Sequence, residues 1–258
     1  RETEPETGVL YLVGTPIGNL SDISSRALNI LRNVFLIACE DTRQTRKIMN
    51  KYDIRTKLIS FNQHNLLEKI PQIKTHLKDN KAIALVSDAG MPSICDPGEQ
   101  LVQTIKRDEI DVVCIPGACA ATTALVTSGF PSSKFIFEGF LPKKLREREE
   151  IFREISSRSK TTIIYESPHR MKKTLNELKL FCGGSREILV ARELTKKFEE
   201  HIGSNIEQVI DHFKTKDILG EFTIVIKGIQ IKEDIKINRS KLKKELHELV
   251  KAGLTLSS

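Results

Sequence analysis

The chain has 258 residues, a formal net charge of +7 at pH 7, 39% hydrophobic residues and 29% charged ones. That length can bury one large core or two moderate ones, and two domains is the better expectation. No run is long or apolar enough to cross a bilayer and no apolar leader precedes a cleavage site, so a soluble cytoplasmic protein without membrane attachment is expected.

Residues 1–7 are acidic, contain Pro5 and read as a disordered leader. An N-terminal α/β domain is expected over 8–129. It opens on the apolar run 9–13, a buried strand, and continues with Ile23, Ala27, Ile30 and Leu31 at helical spacing behind a cap at Ser21 or Asp22. Strands follow at 34–38 and 57–60, a helix at Leu66, Ile70, Ile73 and Leu77, and buried strands at 81–87 and 111–115. Gly129-Phe130-Pro131-Ser132-Ser133 breaks the helix that starts after Pro116 and looks like a linker.

A C-terminal α/β domain is expected over 130–230. Its strands are 135–141, 161–165, 187–191, 198–202 and 222–226, with helices at 145–156, after Pro168, and at Ile206, Val209, Ile210 and Phe213. Several connections are too short for crossover helices, so this half should carry antiparallel pairs. The remainder, 231–258, reads as a charged helical tail with a helix over 240–250 that soon stops; the start at Arg1 in place of Met suggests a trimmed chain.

Three strand ends share one character. The run 81–87 leads into Asp88-Ala89-Gly90-Met91-Pro92-Ser93-Ile94-Cys95-Asp96-Pro97-Gly98, where Gly90 permits close backbone approach and the prolines stiffen the loop. The strand at 111–115 leads into Pro116-Gly117-Ala118-Cys119-Ala120-Ala121, small residues that leave room against the amides opening a helix. The first strand ends in Gly14-Thr15-Pro16-Ile17-Gly18-Asn19-Leu20. Open α/β sheets place ligands at such carboxyl ends, so the three mouths describe one composite small-molecule site. None is a phosphate-binding loop or a dinucleotide fingerprint.

Those runs, with Glu40-Asp41-Thr42-Arg43 after the second strand, resemble the tetrapyrrole-methylase superfamily. Tyr165-Glu166-Ser167-Pro168-His169-Arg170 and Arg192-Glu193-Leu194-Thr195-Lys196 resemble one branch of it, the 16S ribosomal RNA 2′-O-ribose cytidine methyltransferases. The likeness runs in order from Gly8 to about Gly228. It implies two α/β domains of the tetrapyrrole-methylase type with a cofactor cleft between them, S-adenosylmethionine as methyl donor, and a cytidine of the small-subunit decoding region as target. It also implies a homodimer. The chain departs from the family at Met91, usually Thr, at Cys95, usually Ser, and at Ala118-Cys119, usually Pro-Ser.

On this reading S-adenosylmethionine is expected against Ser87, Asp88, Ala89, Gly90 and Met91, against Pro16, Ala120 and Ala121, and against Tyr165, Glu166, Glu221 and Thr223. Ribose O-methylation needs help in removing a proton from a weakly acidic hydroxyl. Glu40, Asp41, Glu166 and Glu193, each just past a strand, are the base candidates, and the sequence does not choose among them. Asn19, Arg43, Arg170, Arg192 and Lys196 are the expected RNA contacts, with Arg suited to bidentate phosphate clamping. The basic cluster at 143–148 would be an outer contact, although interleaved acids dilute it.

The five cysteines and six histidines are dispersed with no C-x₂-C pair, so reduced thiols and no metal are expected. The partners expected are 16S rRNA or the small ribosomal subunit. Two alternatives stay open: a methyltransferase for a tetrapyrrole or other small acceptor, and a non-enzymatic RNA-binding assembly factor. With no Trp and no aromatic interleaving, a base-stacking platform is not legible.

Overall fold

The computed structural model describes residues 4–230, with 247–248 and 251. The helix expected over 240–250 therefore falls almost wholly outside the described residues, as do residues 1–3 of the leader.

The first sheet is parallel and five-stranded: β1 (Leu10–Val13), β2 (Leu36–Cys39), β3 (Lys57–Ser60), β4 (Ile83–Val86) and β5 (Val112–Ile115) in the order β3-β2-β4-β1-β5. Side chains alternate across it. Tyr11, Val13 and Ile37 join Ile30 and Ile48 on one face, while Leu10, Leu36 and Leu85 join Ile73, Leu101 and Ile105 on the other. The connecting helices α1 (Ser25–Asn33), α2 (Thr42–Lys51), α3 (Leu66–Lys78) and α4 (Gly98–Arg107) supply those partners. From β1 the chain crosses to β2 on one side, and from β4 to β5 on the other, so the order reverses at the β4–β1 junction. That is where a doubly wound sheet opens a crevice.

The second sheet runs β6 (Phe135–Phe140), β7 (Thr161–Glu166), β10 (Phe222–Ile226), β8 (Glu187–Arg192) and β9 (Glu200–Asn205) in spatial order. Only β6 and β7, joined through α6 (Leu145–Ser157), pair in parallel; β10 runs antiparallel to β7 and β8, and β8 to β9. One face is covered by α6, α7 (Pro168–Cys182) and α8 (Ile206–His212), through Phe152, Leu175, Leu178 and Val209. The other face is covered by α5 (Ala120–Ser128), whose Ala121, Ala124 and Leu125 pack on Ile163, Ala191 and Val225. Thus α5 precedes the linker in sequence yet belongs to the core of the second half. Its small side chains suit close approach to a flat sheet.

Local differences from the sequence reading have simple causes. The cap of α1 is Ser24, which accepts from the Ala27 amide, while Ser21 and Asp22 sit in a short 3-10 turn capped by Asn19. The β5 strand, expected to be buried, is half-exposed because it ends the sheet. Residues 4–7 are tied down in part: Arg26 donates twice to the Glu4 carboxylate, and the Glu6 amide donates to the Tyr11 hydroxyl.

Candidate active site

The loops after β1, β4 and β5 meet. Thr15 and Gly90 exchange backbone hydrogen bonds of 2.9 and 3.1 Å, and the Thr15 hydroxyl lies 3.4 Å from the Ser87 carbonyl. Gly14 lies against Gly117 so closely that a Cβ there would stand 2.7 Å from the Gly117 Cα. Gly90 has φ +80°, a conformation that favours glycine, with Ala118 and Ile17 beside it. Ser93 and Cys95 also have positive φ, at +71° and +63°, and Asp96 holds that turn by accepting from the Ser93 and Gly98 amides. Non-glycine residues in this region concentrate at functional loops.

Between these loops and the edge of the second sheet lies a 490 Å³ cavity, in the size range of small-molecule sites. Of the residues expected to bind cofactor, Ser87, Asp88, Ala89, Gly90, Met91, Ala120, Tyr165, Glu166, Glu221 and Thr223 line it. Pro16 and Ala121 do not. Ile17 takes the place of Pro16 on the wall, and Ala121 is buried beneath it, where its amide donates to the Tyr165 hydroxyl at 3.0 Å. Burial pushes the Tyr165 phenol pKa well up, while the Ala121 amide opposes that shift and holds the ring in place. The sequence reading missed Ile17, Ile94, Cys95, Asp96, Cys119, Phe140 and Leu194 as wall residues. Cys95 and Asp96 were inside a loop already singled out; Phe140 carried no signal beyond the Gly before it.

The four base candidates separate. Asp41 caps α2 and is held by Arg43 through both carboxylate oxygens, which lowers its pKa, and it is not on the cavity wall. Glu193 is also off the wall. Burial alone would raise its pKa, but bonds from Lys196 and the Glu221 amide hold it below the usual range. Glu166 lines the cavity but its oxygens are taken. One accepts from the Ser167 amide at 2.8 Å and the other from the Thr174 hydroxyl at 2.6 Å, with Arg148 and Arg170 3.7 and 3.5 Å away. Glu40 lines the cavity, and its pKa is raised by burial and by repulsion from Asp88, Asp96 and Asp41.

Asp88 is raised in the same sense, chiefly by burial, and accepts from the Asp41 amide at 2.9 Å, which ties the β2 end to the β4 end. Asp96 is raised by burial, and its second oxygen is buried without a partner, as is the Ser93 hydroxyl. Carboxylates and orphaned acceptors around one cleft suit a ligand rich in N–H and O–H donors that carries positive charge.

The expected RNA contacts line no part of the cavity. Asn19 lies at the junction of the two halves, its amide donating to the Thr195 hydroxyl, and Lys196 bridges Glu193 and Glu221 at 2.9 Å each. Arg192 is spent on the Leu219 carbonyl and Glu200. Arg170 donates to the Leu141 and Pro142 carbonyls, while Arg43 leaves 85% of its side chain exposed. The cluster at 143–148 needs correction: Arg148 is 1% exposed, donating to Glu177 at 2.6 Å and Thr174 at 2.5 Å, so it is no surface contact.

Residues 9–210 match the family of Tetrapyrrole (Corrin/Porphyrin) Methylases. The chain is 46% identical over 221 residues to Ribosomal RNA small subunit methyltransferase I of Thermotoga maritima, covering 86% of this chain and 99% of that one. The protein of the same name from a Synechocystis species is 42% identical over 250 residues, 97% of this chain and 90% of its own. Solved structures share the fold at lower identity. A cobalt precorrin-4 methyltransferase superposes with a TM-score of 0.65 at 16% identity, over 85% of this chain and 95% of that one. Uroporphyrin-III C-methyl transferase from Thermus thermophilus, complexed with S-adenyl homocysteine, gives 0.58 at 17% identity, over 84% and 96%. With its two α/β halves, its cleft at the strand ends and its close relatives in one branch, the chain belongs to the tetrapyrrole methylases, in the small-subunit ribosomal RNA methyltransferase I family.

Proposed function

We propose that the chain methylates the ribose 2′-oxygen of a cytidine in the decoding region of 16S rRNA, acting on the small ribosomal subunit as a homodimer. The observation that carries the chemistry is the cleft itself: both halves wall it, and Glu40 stands in it as a carboxylate of raised basicity. The methyl donor is S-adenosylmethionine, which when bound supplies an electrophilic methyl group on a cationic sulfur. Asp88 and Asp96 complement that charge, and the small residues at Ala89, Gly90 and Ala120 leave room against the loop backbone.

Glu40 would take the proton of the 2′-hydroxyl and so ready that oxygen for the methyl group that a bound S-adenosylmethionine would supply. A base near neutral pKa is best matched to this task, and burial with neighbouring acids moves Glu40 in that direction. Tyr165, locked by Ala121, and Glu166, locked by Thr174, keep the opposing wall rigid so that donor and acceptor stay in line. The choice of target rests on the motifs at 165–170 and 192–196 and on the relatives' names.

Small ribosomal subunits, free 16S rRNA and a porphyrinogen, offered side by side with labelled S-adenosylmethionine, test the reading. Label on ribose of the subunit supports it; label on the porphyrinogen alone replaces it with a small-acceptor enzyme. Cys95 and Cys119 line the cleft as free thiols, and S-adenosylmethionine should protect both from alkylation. Unchanged labelling of either thiol would move the cofactor elsewhere. Sedimentation at micromolar concentration tests the homodimer, which a monomer would refute.

A further inference from the structure

The register of β6 on β7 shifts between Phe137 and Gly139, so that Glu138 is an extra residue with no partner of its own. Bulges of this kind turn a strand locally and re-aim the side chains that follow. Gly139 takes φ +62°, and a Cβ on it would stand 2.9 Å from the Cys95 sulfur of the β4 loop. Phe137 and Phe140 are three residues apart, and strict alternation would send them to opposite faces. Instead both rings lie against Tyr165, with centroids 4.9 and 5.6 Å away. Phe137 packs into the core with α5, but Phe140 stays 56% exposed on the cavity wall. Of the aromatic side chains on the cavity wall, Phe140, Tyr165 and Phe222, Phe140 is the exposed one, which calls for a reason.

The surroundings of Phe140 say what it faces. The chain runs from it through Leu141 and Pro142, whose carbonyls hold the Arg170 guanidinium, to the exposed Lys143 and Lys144. A bare aromatic followed at once by cations matches a nucleotide, with a flat base and a phosphate a few ångströms apart. The counter-charges for a cationic cofactor, Asp88 and Asp96, sit on the loop after β4, away from the Lys143–Lys144 segment that follows Phe140 in the chain. We propose that Phe140 is the stacking platform for the pyrimidine ring of the target nucleotide, with the exposed Lys143, and Lys144 once it leaves Glu147, receiving its flanking phosphates. This rests on the RNA reading above and adds the residue that seats the base in the cleft that Glu40 also lines.

The test uses the full chain, a single-stranded RNA oligonucleotide spanning the target cytidine, and the same oligonucleotide with that base removed. Phe140→Ala should weaken binding of the intact RNA roughly 5- to 150-fold, which corresponds to about 1–3 kcal/mol for one stacked base. Phe140→Tyr should restore affinity, Phe140→Leu should not, and S-adenosylmethionine affinity should match wild type in all three. On the abasic RNA, Phe140→Ala should carry no further penalty. A residue that only props the fold would weaken both RNAs alike, which would overturn the assignment. Loss of S-adenosylmethionine affinity would instead place Phe140 on the cofactor, and Leu equal to Phe would reduce it to apolar filler; either result overturns stacking. A wild-type chain that neither binds RNA nor methylates small subunits overturns the proposed function and this assignment together. An active wild type with normal binding by Phe140→Ala overturns the assignment alone.

Discussion

Glu40 and Glu166 stand on the same cavity wall, yet the groups around them differ. Glu40 is destabilised in its charged form by burial and then by neighbouring acids, whereas the Glu166 side chain is held in position by an amide and a hydroxyl, with two guanidinium groups nearby. On the proposed reading Glu40 is the base. Glu40→Gln should therefore lower turnover by about 10²- to 10⁴-fold while S-adenosylmethionine binding stays within a few-fold of wild type. The base acts as a carboxylate, so wild-type rate should fall as pH drops through its raised pKa, and single-turnover pH profiles should lack that limb in the variant. Stability has its own sign. The folded state holds the Glu40 proton more tightly than the unfolded chain does, so ionisation at neutral pH works against folding. The variant should then melt above wild type at neutral pH, with the difference closing as pH falls below the ordinary glutamate range. A melting difference independent of pH would reject this electrostatic account.

At the scale of elements, α6, the β7 end and α7 are joined by one buried charge cluster of Arg148, Glu166, Thr174 and Glu177. One nitrogen of Arg148 has no partner, so the cluster is costly to bury and is held by its remaining bonds. Removing one member leaves the others charged and dry. Arg148→Met should lower unfolding free energy by about 3–5 kcal/mol, read by denaturant titration. Arg148→Lys should recover only part, because an ammonium cannot reproduce the forked contacts. A change within 0.5 kcal/mol, the usual scatter for surface positions, would mean the cluster is solvated in solution. The exposed pair of Arg146 with Glu150 on the same helix is a useful contrast, since such pairs contribute about 0–1 kcal/mol.

Over the whole molecule, the net charge of +7 is modest and much of the basic side chain is already paired within the fold. Binding to RNA should weaken with salt by about 0.7 log units per log unit of salt for each single-strand phosphate neutralised. Arg43→Ala should shallow that slope by about one contact and leave cofactor affinity unchanged, because the guanidinium is exposed and lies off the cavity. An unaltered slope would remove Arg43 from the RNA face. Arg192→Ala should behave differently and act through stability, since its bonds go to Leu219 and Glu200.

Much of this architecture is local in origin and so was legible from the chain alone. Strand positions follow from short β-branched and apolar runs such as 161–165 and 222–226, helices from their apolar spacing, and the ligand loops from Gly and Pro at strand ends. The alternation of strands and helices and the loops after β1, β4 and β5 needed nothing more, whereas the docking of α5 on the second sheet did. Telling Glu40, Asp41, Glu166 and Glu193 apart did need the tertiary structure, because a carboxylate's surroundings come from groups distant in sequence: burial with Asp88 and Asp96 for Glu40, hydrogen bonding to Thr174 beside Arg148 for Glu166. Arg148 reads as a surface cation in its own segment and becomes a core residue only once α6 meets α7. The sequence places Phe140 on a strand without saying which way it faces, and the extra residue in β6 is what turns it into the cleft. Sequence carries the pattern along each element; register and the packing of one element on another decide which side chains face one another.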